Sequence, residues 1–91
     1  MNRYIALLLN KRDSSTHYAK ALSLFEQAEN CRALADRTFS TAERLDYLTM
    51  QRECLQSTLA DLLLGNNPVL WARKAIQVMD ITDEVNELVT E

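Results

Sequence analysis

The chain contains one glycine and one proline among its 91 residues, and these lie close together, at Gly65 and Pro68. Between Ser14 and Leu64 neither residue occurs, so nothing in that long stretch forbids a helix. Collagen-like chains, flexible linkers and most turn-rich β folds need far more glycine and proline than this. The sequence therefore predicts an all-α protein.

The spacing of apolar residues divides the chain into three long predicted helices, near 14–38, 41–64 and 68–89. Apolar residues recur there in steps of three and four, whereas a half-buried strand would alternate with a period of two. Residues 3–11 form a predicted short N-terminal helix, although a strand is not excluded for that segment. We expect all four elements to belong to one domain, residues 1–91.

The predicted helix ends carry recognisable capping residues. Ser40 and Glu43 have the spacing of a capping box at the start of the second long helix. Gly65 is placed to end that helix in the left-handed conformation, and Pro68 suits the first turn of the next helix. Because both connections are very short, neighbouring helices should be antiparallel, as in an up-down-up bundle or a pair of helical hairpins.

The apolar residues of the last helix follow helical spacing but do not keep to one straight line along it. Val69, Ala72, Ile76 and Met79 follow helical spacing, and they are joined by Val78, Ile81, Val85 and Leu88. The apolar stripe therefore drifts around the helix, as a period of 3.6 residues drifts against a heptad.

Charge and composition exclude several classes of protein. The chain is 47% hydrophobic and 25% charged, which is ordinary globular usage and argues against disorder. Its net charge of −3 disfavours a general binder of nucleic acid or anionic membranes. No apolar run reaches the ~20 residues that span a bilayer, and we expect a soluble, cytoplasmic protein. Cys31 and Cys54 are predicted to be free thiols inside helices.

Antiparallel helices gather charge at one end of the molecule. Arginines near the first connection should meet the acidic end of the last helix, and the register set by Gly65 places Arg52 opposite Asp80 and Arg44 opposite Glu87. Each such pair would contribute at most ~1 kcal/mol if exposed. We interpret the acidic end as neutralised within the molecule rather than as a binding surface.

The opposite end has a surplus of apolar residues. Runs of three apolar residues point in three directions, so part of each run must leave the core, and contiguous exposed patches usually mark partner sites. Alternatively, the N-terminal segment folds over the surplus and hides it. The predicted partner-binding residues are Leu7, Leu8, Leu9, Leu62, Leu63, Leu64, Leu70 and Trp71.

The residues that usually carry catalysis or hold metals do not form a recognisable pattern. His17 is the one histidine, and no His, Cys or acidic pair has the spacing of a zinc site. No phosphate-binding glycine loop or nucleophile elbow occurs. We therefore predict no catalytic, cofactor-binding or metal-binding residues.

In size, helicity and polarity the chain is similar to small bacterial secretion and flagellar chaperones, anti-activators and adaptors, although no motif carries the similarity. This likeness implies a protein that binds an amphipathic helix of another protein through the apolar end or a groove between helices, with a homodimer as a further possibility. The alternative is a small all-α enzyme that binds an anionic substrate with Arg32 and Arg52, as small all-α chorismate mutases use buried arginines. The N-terminal arginine pattern of those enzymes is absent here.

Overall fold

The structure, a computed structural model, describes the backbone of residues 3–90 and the side chains of residues 16–90. Within that range it consists of three helices and no strand: α1, Arg3–Arg37; α2, Thr41–Leu64; and α3, Pro68–Thr90. The predicted all-α class and three long helices are confirmed. A separate short helix over residues 3–11 is not supported, because α1 is assigned as one element from Arg3.

The first connection begins α2 with the predicted cap. Ser40 has an extended backbone, and its Oγ accepts a hydrogen bond from the Glu43 backbone N–H at 3.3 Å. The Glu43 carboxylate does not complete the box. It accepts instead from the Thr38 hydroxyl at 2.7 Å, and that hydroxyl oxygen accepts from the Ser40 N–H at 3.2 Å. The Thr38 hydroxyl thus bridges the Ser40 backbone N–H and the Glu43 carboxylate.

The second connection places the left-handed residue one position later than the sequence suggests. Gly65 has φ −79°, whereas Asn66 has φ 56°. The Asn66 N–H bonds to the Leu63 carbonyl at 3.1 Å and the Asn67 N–H to the Leu62 carbonyl at 2.9 Å. This is the hydrogen-bond pattern of a Schellman motif, with Asn66 in the position where asparagine is the usual substitute for glycine. The prediction of a left-handed Gly65 was therefore wrong.

The core is built from residues at heptad spacing on each helix. On α1 these residues are alanines, Ala21, Ala28 and Ala35, all of them buried. Small side chains let two helix backbones approach closely, so α1 lies tightly against α2. The larger core residues come from the other two helices: Leu48, Leu55 and Leu62 on α2, and Val78, Ile81 and Val85 on α3.

α2 is the central helix, since it packs directly against both α1 and α3. Among the described residues, no Cα atom of α1 comes within 8 Å of a Cα atom of α3. These two helices meet through long side chains instead. The Arg32 guanidinium binds the Glu84 carboxylate, and the Lys74 ammonium lies 4.4 Å from the centre of the Phe25 ring. A cleft therefore runs between α1 and α3 above α2.

Candidate functional site

The predicted partner-binding residues around the Gly65 turn differ in how far they are exposed. Leu63 and Leu64 are 60% and 65% exposed on the last turn of α2, whereas Leu62 is 1% exposed and belongs to the core. Leu62 faces inward because it continues the heptad of Leu48 and Leu55, so it is not available to a partner. Leu70 and Trp71 are half-buried. The side chains of Leu7, Leu8 and Leu9 lie outside the described residues.

α3 has two apolar stripes, and they face opposite directions. Val78, Ile81 and Val85 are buried against the other helices. Val69, Ala72, Ile76 and Met79 are exposed, and the three large members of this set are 59–66% exposed. At 100° per residue, the mean directions of the two sets differ by about 170°. We call Val69, Ala72, Ile76 and Met79 the outer stripe.

The outer stripe has the spacing of a helix-packing seam. Its members follow one another by three, four and three residues, which is the alternation that packs side chains of one helix between those of another. Arg73 and Asp80 lie seven residues apart along one edge of the stripe, and both are exposed. Within residues 16–90, neither of them forms an ion pair. The stripe is thus an apolar strip edged by one charge of each sign.

The outer stripe begins at the Gly65 turn, where Leu63 and Leu64 are also exposed. The seventeen positions from the last turn of α2 to Met79 on α3 therefore present five large exposed apolar residues: Leu63, Leu64, Val69, Ile76 and Met79. Singly exposed apolar residues are ordinary on protein surfaces, whereas groups of them at helical spacing mark contact sites.

At the opposite end of the molecule, the ion pair that forms is not one of those predicted. Arg32 donates from both terminal nitrogens to the two oxygens of Glu84, at 2.8 and 2.7 Å. This bidentate hydrogen bonding raises the pKa of Arg32 and lowers the pKa of Glu84, while partial burial opposes both shifts. The Arg44 charge also lowers the pKa of Glu84.

The two arginines placed by the register argument have different outcomes. Arg44 lines a cavity of about 420 Å³ together with Glu84 and Glu87, so it lies beside the acidic end of α3 as expected. Arg52 forms no ion pair with a described residue, and its Nε is buried without a hydrogen-bond partner. The predicted pairing of Arg52 with Asp80 was therefore wrong.

The arginines of the enzyme alternative do not converge on one open site. Arg32 uses both terminal nitrogens on Glu84, and Arg52 does not line the cleft in which Arg32 lies. An anionic substrate would have to displace the Glu84 carboxylate to reach Arg32. The alternative enzyme function stays a prediction, and the arrangement gives it little support.

Sequence reasoning missed a contact of the one histidine. The His17 ring nitrogen Nδ1 lies 2.9 Å from Oδ1 of Asp61, and both side chains are partly buried. These residues are 44 positions apart, so the contact depends on how α1 and α2 align, which no local pattern reveals. Within the described residues, no group of three or more His, Cys, Asp or Glu side chains could hold a metal ion.

Cys31 and Cys54 are free, and their side chains interact across the α1–α2 interface. Burial raises the pKa of the Cys54 thiol, and the neighbouring Cys31 raises it further. A raised pKa keeps the thiol protonated and lowers its nucleophilicity at neutral pH. Cys54 therefore acts as a small apolar packing residue, and Cys31 is buried beside it.

In the part that the structure describes, no helix is long and apolar enough to cross a membrane. A comparison with known protein families, curated proteins and solved structures finds none that matches this chain.

Proposed function

We propose that this protein binds another protein, and that the outer stripe of α3 receives an amphipathic helix of that partner. The observation that carries the proposal is the exposure of Val69, Ile76 and Met79 on the face directly opposite the core. One apolar face is enough to pack α3 against the core, so its second apolar face is left for another molecule. This function is of the small chaperone, adaptor or anti-activator type.

The spacing of the outer stripe favours a helix as the occupant. Alternating steps of three and four residues match side chains that interdigitate along a helix–helix seam, and a groove or strip of this kind recognises partners by anchors at the same spacing. The edge charges Arg73 and Asp80 would set the direction of the bound helix, because the partner gains most by placing an acidic residue near Arg73 and a basic one near Asp80.

A matched pair of charge substitutions tests this function. Ile76→Asp places a carboxylate in the outer stripe, where it stays hydrated in the free protein and becomes desolvated when a helix covers it. Gln56→Asp adds the same charge at an exposed position of α2 away from the stripe. Affinity isolation from the native host, followed by photo-crosslinking from Met79, identifies the partner segment.

The expected result is a partner retained by the unaltered protein and by Gln56→Asp but lost with Ile76→Asp, with the crosslink falling in an amphipathic helix. Leu63→Asp, at the turn end of the same surface, should weaken the same interaction. Retention of the same proteins by all variants contradicts the proposal. A dimeric protein that becomes monomeric with Ile76→Asp in light scattering would instead show that a second copy covers the stripe.

A further inference from the structure

The outer face of α3 changes in character along its length. The outer stripe ends at Met79, and Asp83 and Glu87 follow it in two steps of four residues, both of them exposed. At 100° per residue, Asp83 lies in about the mean direction of the stripe, and Glu87 lies within about 40° of it. One line of exposed side chains therefore runs from apolar, next to the Gly65 turn, to acidic, near the end of α3.

The acidic half of this line keeps its negative charge at the surface. Asp80, on the edge of the stripe, is not paired with Arg52, and neither Asp80 nor Asp83 forms an ion pair with any described residue. Glu87 shares a cavity with Arg44, and no ion pair joins the two side chains. A molecule that lies along the outer face therefore meets three carboxylates beyond the apolar residues.

These carboxylates act against the helix that carries them. Asp80 and Asp83 are three residues apart and Asp83 and Glu87 are four apart, so like charges are neighbours on the helix surface, which is unfavourable. Glu87 also lies in the last turn, where the helix dipole favours a basic residue and α3 has none. Positions at which a sequence opposes its own local structure are typical of functional surfaces, and a cationic neighbour would relieve both costs.

We propose that the partner helix is divided in the same way as this face, with apolar anchors over the outer stripe and lysine or arginine residues over Asp80, Asp83 and Glu87. The inference rests on the proposed function, because it takes the outer stripe as the docking site and adds the chemistry of the occupant. The apolar anchors supply the buried contact. The basic residues determine which end of the partner lies at the Gly65 turn, and they accelerate its association.

Designed peptides test this composition against the full chain. An alanine-based helix of about nineteen residues matches the face from Val69 to Glu87. It carries leucines at steps of three and four in one half and lysines on the same line in the other half, and it is made in both chain directions. Matched peptides replace the lysines by glutamine or by glutamate. In fluorescence anisotropy, we expect the lysine peptide in its better direction to bind about three- to tenfold more tightly than the glutamine peptide, with this advantage lost in added salt.

Paired substitutions locate the charge effect. Asp83→Asn with Glu87→Gln should remove the advantage of the lysine peptide and leave the affinity of the glutamine peptide unchanged. The control, Glu26→Gln with Glu53→Gln, removes two exposed carboxylates from α1 and α2 and should retain the advantage. Asp83→Lys with Glu87→Lys should reverse the preference, so that the glutamate peptide binds more tightly than the lysine peptide. A purely structural role of these carboxylates would not produce that reversal.

The outcomes separate this inference from the proposed function. Ile76→Asp should abolish the binding of all the peptides, because they share the apolar anchors. If the lysine and glutamine peptides bind equally well, or if the control pair removes the advantage as fully as the Asp83/Glu87 pair, the basic half is overturned while the outer stripe remains the docking site. If no peptide binds saturably, or if Ile76→Asp leaves binding unaltered, the inference and the proposed function both fail. A dimer that dissociates as the peptides bind would assign the outer stripe to a second copy and would overturn the inference as well.

Discussion

The two apolar faces of α3 carry similar residues, but one face is buried and the other is exposed. Val78, Ile81 and Val85 are buried, while Val69, Ile76 and Met79 stand at 59–66% exposure on the other side. Both sets follow helical spacing, and both consist of branched or flexible apolar side chains. The difference lies in the rotation of α3 about its own axis, which turns one set toward α2 and the other away. Apolar periodicity therefore identifies a helix without telling which of its faces is the core.

The largest expected effect comes from one residue type placed on each face. Ile81→Ala should lower the free energy of unfolding by about 2–5 kcal/mol, because it leaves a cavity at a residue that is 2% exposed. Ile76→Ala should change it by about 0.5 kcal/mol or less, and the higher helix propensity of alanine acts in its favour. Urea denaturation followed by circular dichroism measures both.

Equal losses in the two isoleucine variants would break the comparison. They would mean that something covers the outer stripe in the isolated protein. If the covering element is a second copy, the Ile76→Ala loss should shrink as the protein is diluted, because dissociation of the dimer leaves position 76 exposed in both proteins.

The sequence predicted the helices better than their contacts. The capping residues Ser40 and Glu43, the apolar spacing and Gly65 together placed α2 at its observed bounds, Thr41–Leu64. The sequence could not tell which of the two apolar stripes of α3 is buried. That depends on how α3 is rotated about its axis after the turn that follows α2. The same limit applies to Arg32: its pairing with Glu84 joins residues 52 positions apart and follows from the three-helix arrangement, not from a local pattern.

The second prediction concerns the turn that sets the rotation of α3. Asn66→Ala should cost about 1 kcal/mol, because the short polar side chain of asparagine favours the left-handed conformation at φ 56° and the methyl group of alanine does not. Gly65→Ala should be close to neutral, since Gly65 has an ordinary helical φ of −79°. Thermal unfolding of the two variants measures the difference.

If Gly65→Ala lost more stability than Asn66→Ala, Gly65 would be the residue in the left-handed conformation. It would shift the start of α3 by one residue, and a shift of one residue rotates the helix by about 100°. The assignment of inner and outer faces would then have to be drawn again. Asn66→Gly, which tolerates the left-handed conformation, serves as the control that keeps the backbone freedom while removing the asparagine side chain.

The smallest expected effect lies on the edge of α3 that faces α1. Glu84→Gln removes the ion pair with Arg32 and should cost about 0.5–1 kcal/mol at neutral pH, since both side chains are about one-third exposed and solvent screens the pair. The pKa of Glu84 is lowered in the folded protein. Its contribution is therefore complete above the ordinary glutamate pKa, near 4.3, and is lost as the pH falls through the lower folded value.

Urea midpoints at about pH 7 and about pH 3 should consequently differ less in Glu84→Gln than in the unaltered protein. Glu26→Gln, at an exposed position of α1 that forms no ion pair with a described residue, changes the net charge equally and should keep the full pH dependence. Because Arg32–Glu84 is the ion pair that joins α1 and α3, an unchanged pH dependence in Glu84→Gln would show that this pair does not help to hold the two helices together, which would leave α2 and the Lys74–Phe25 contact to do so. In that case the edge of α3 facing α1 would resemble its outer face, available to a partner, rather than its inner one.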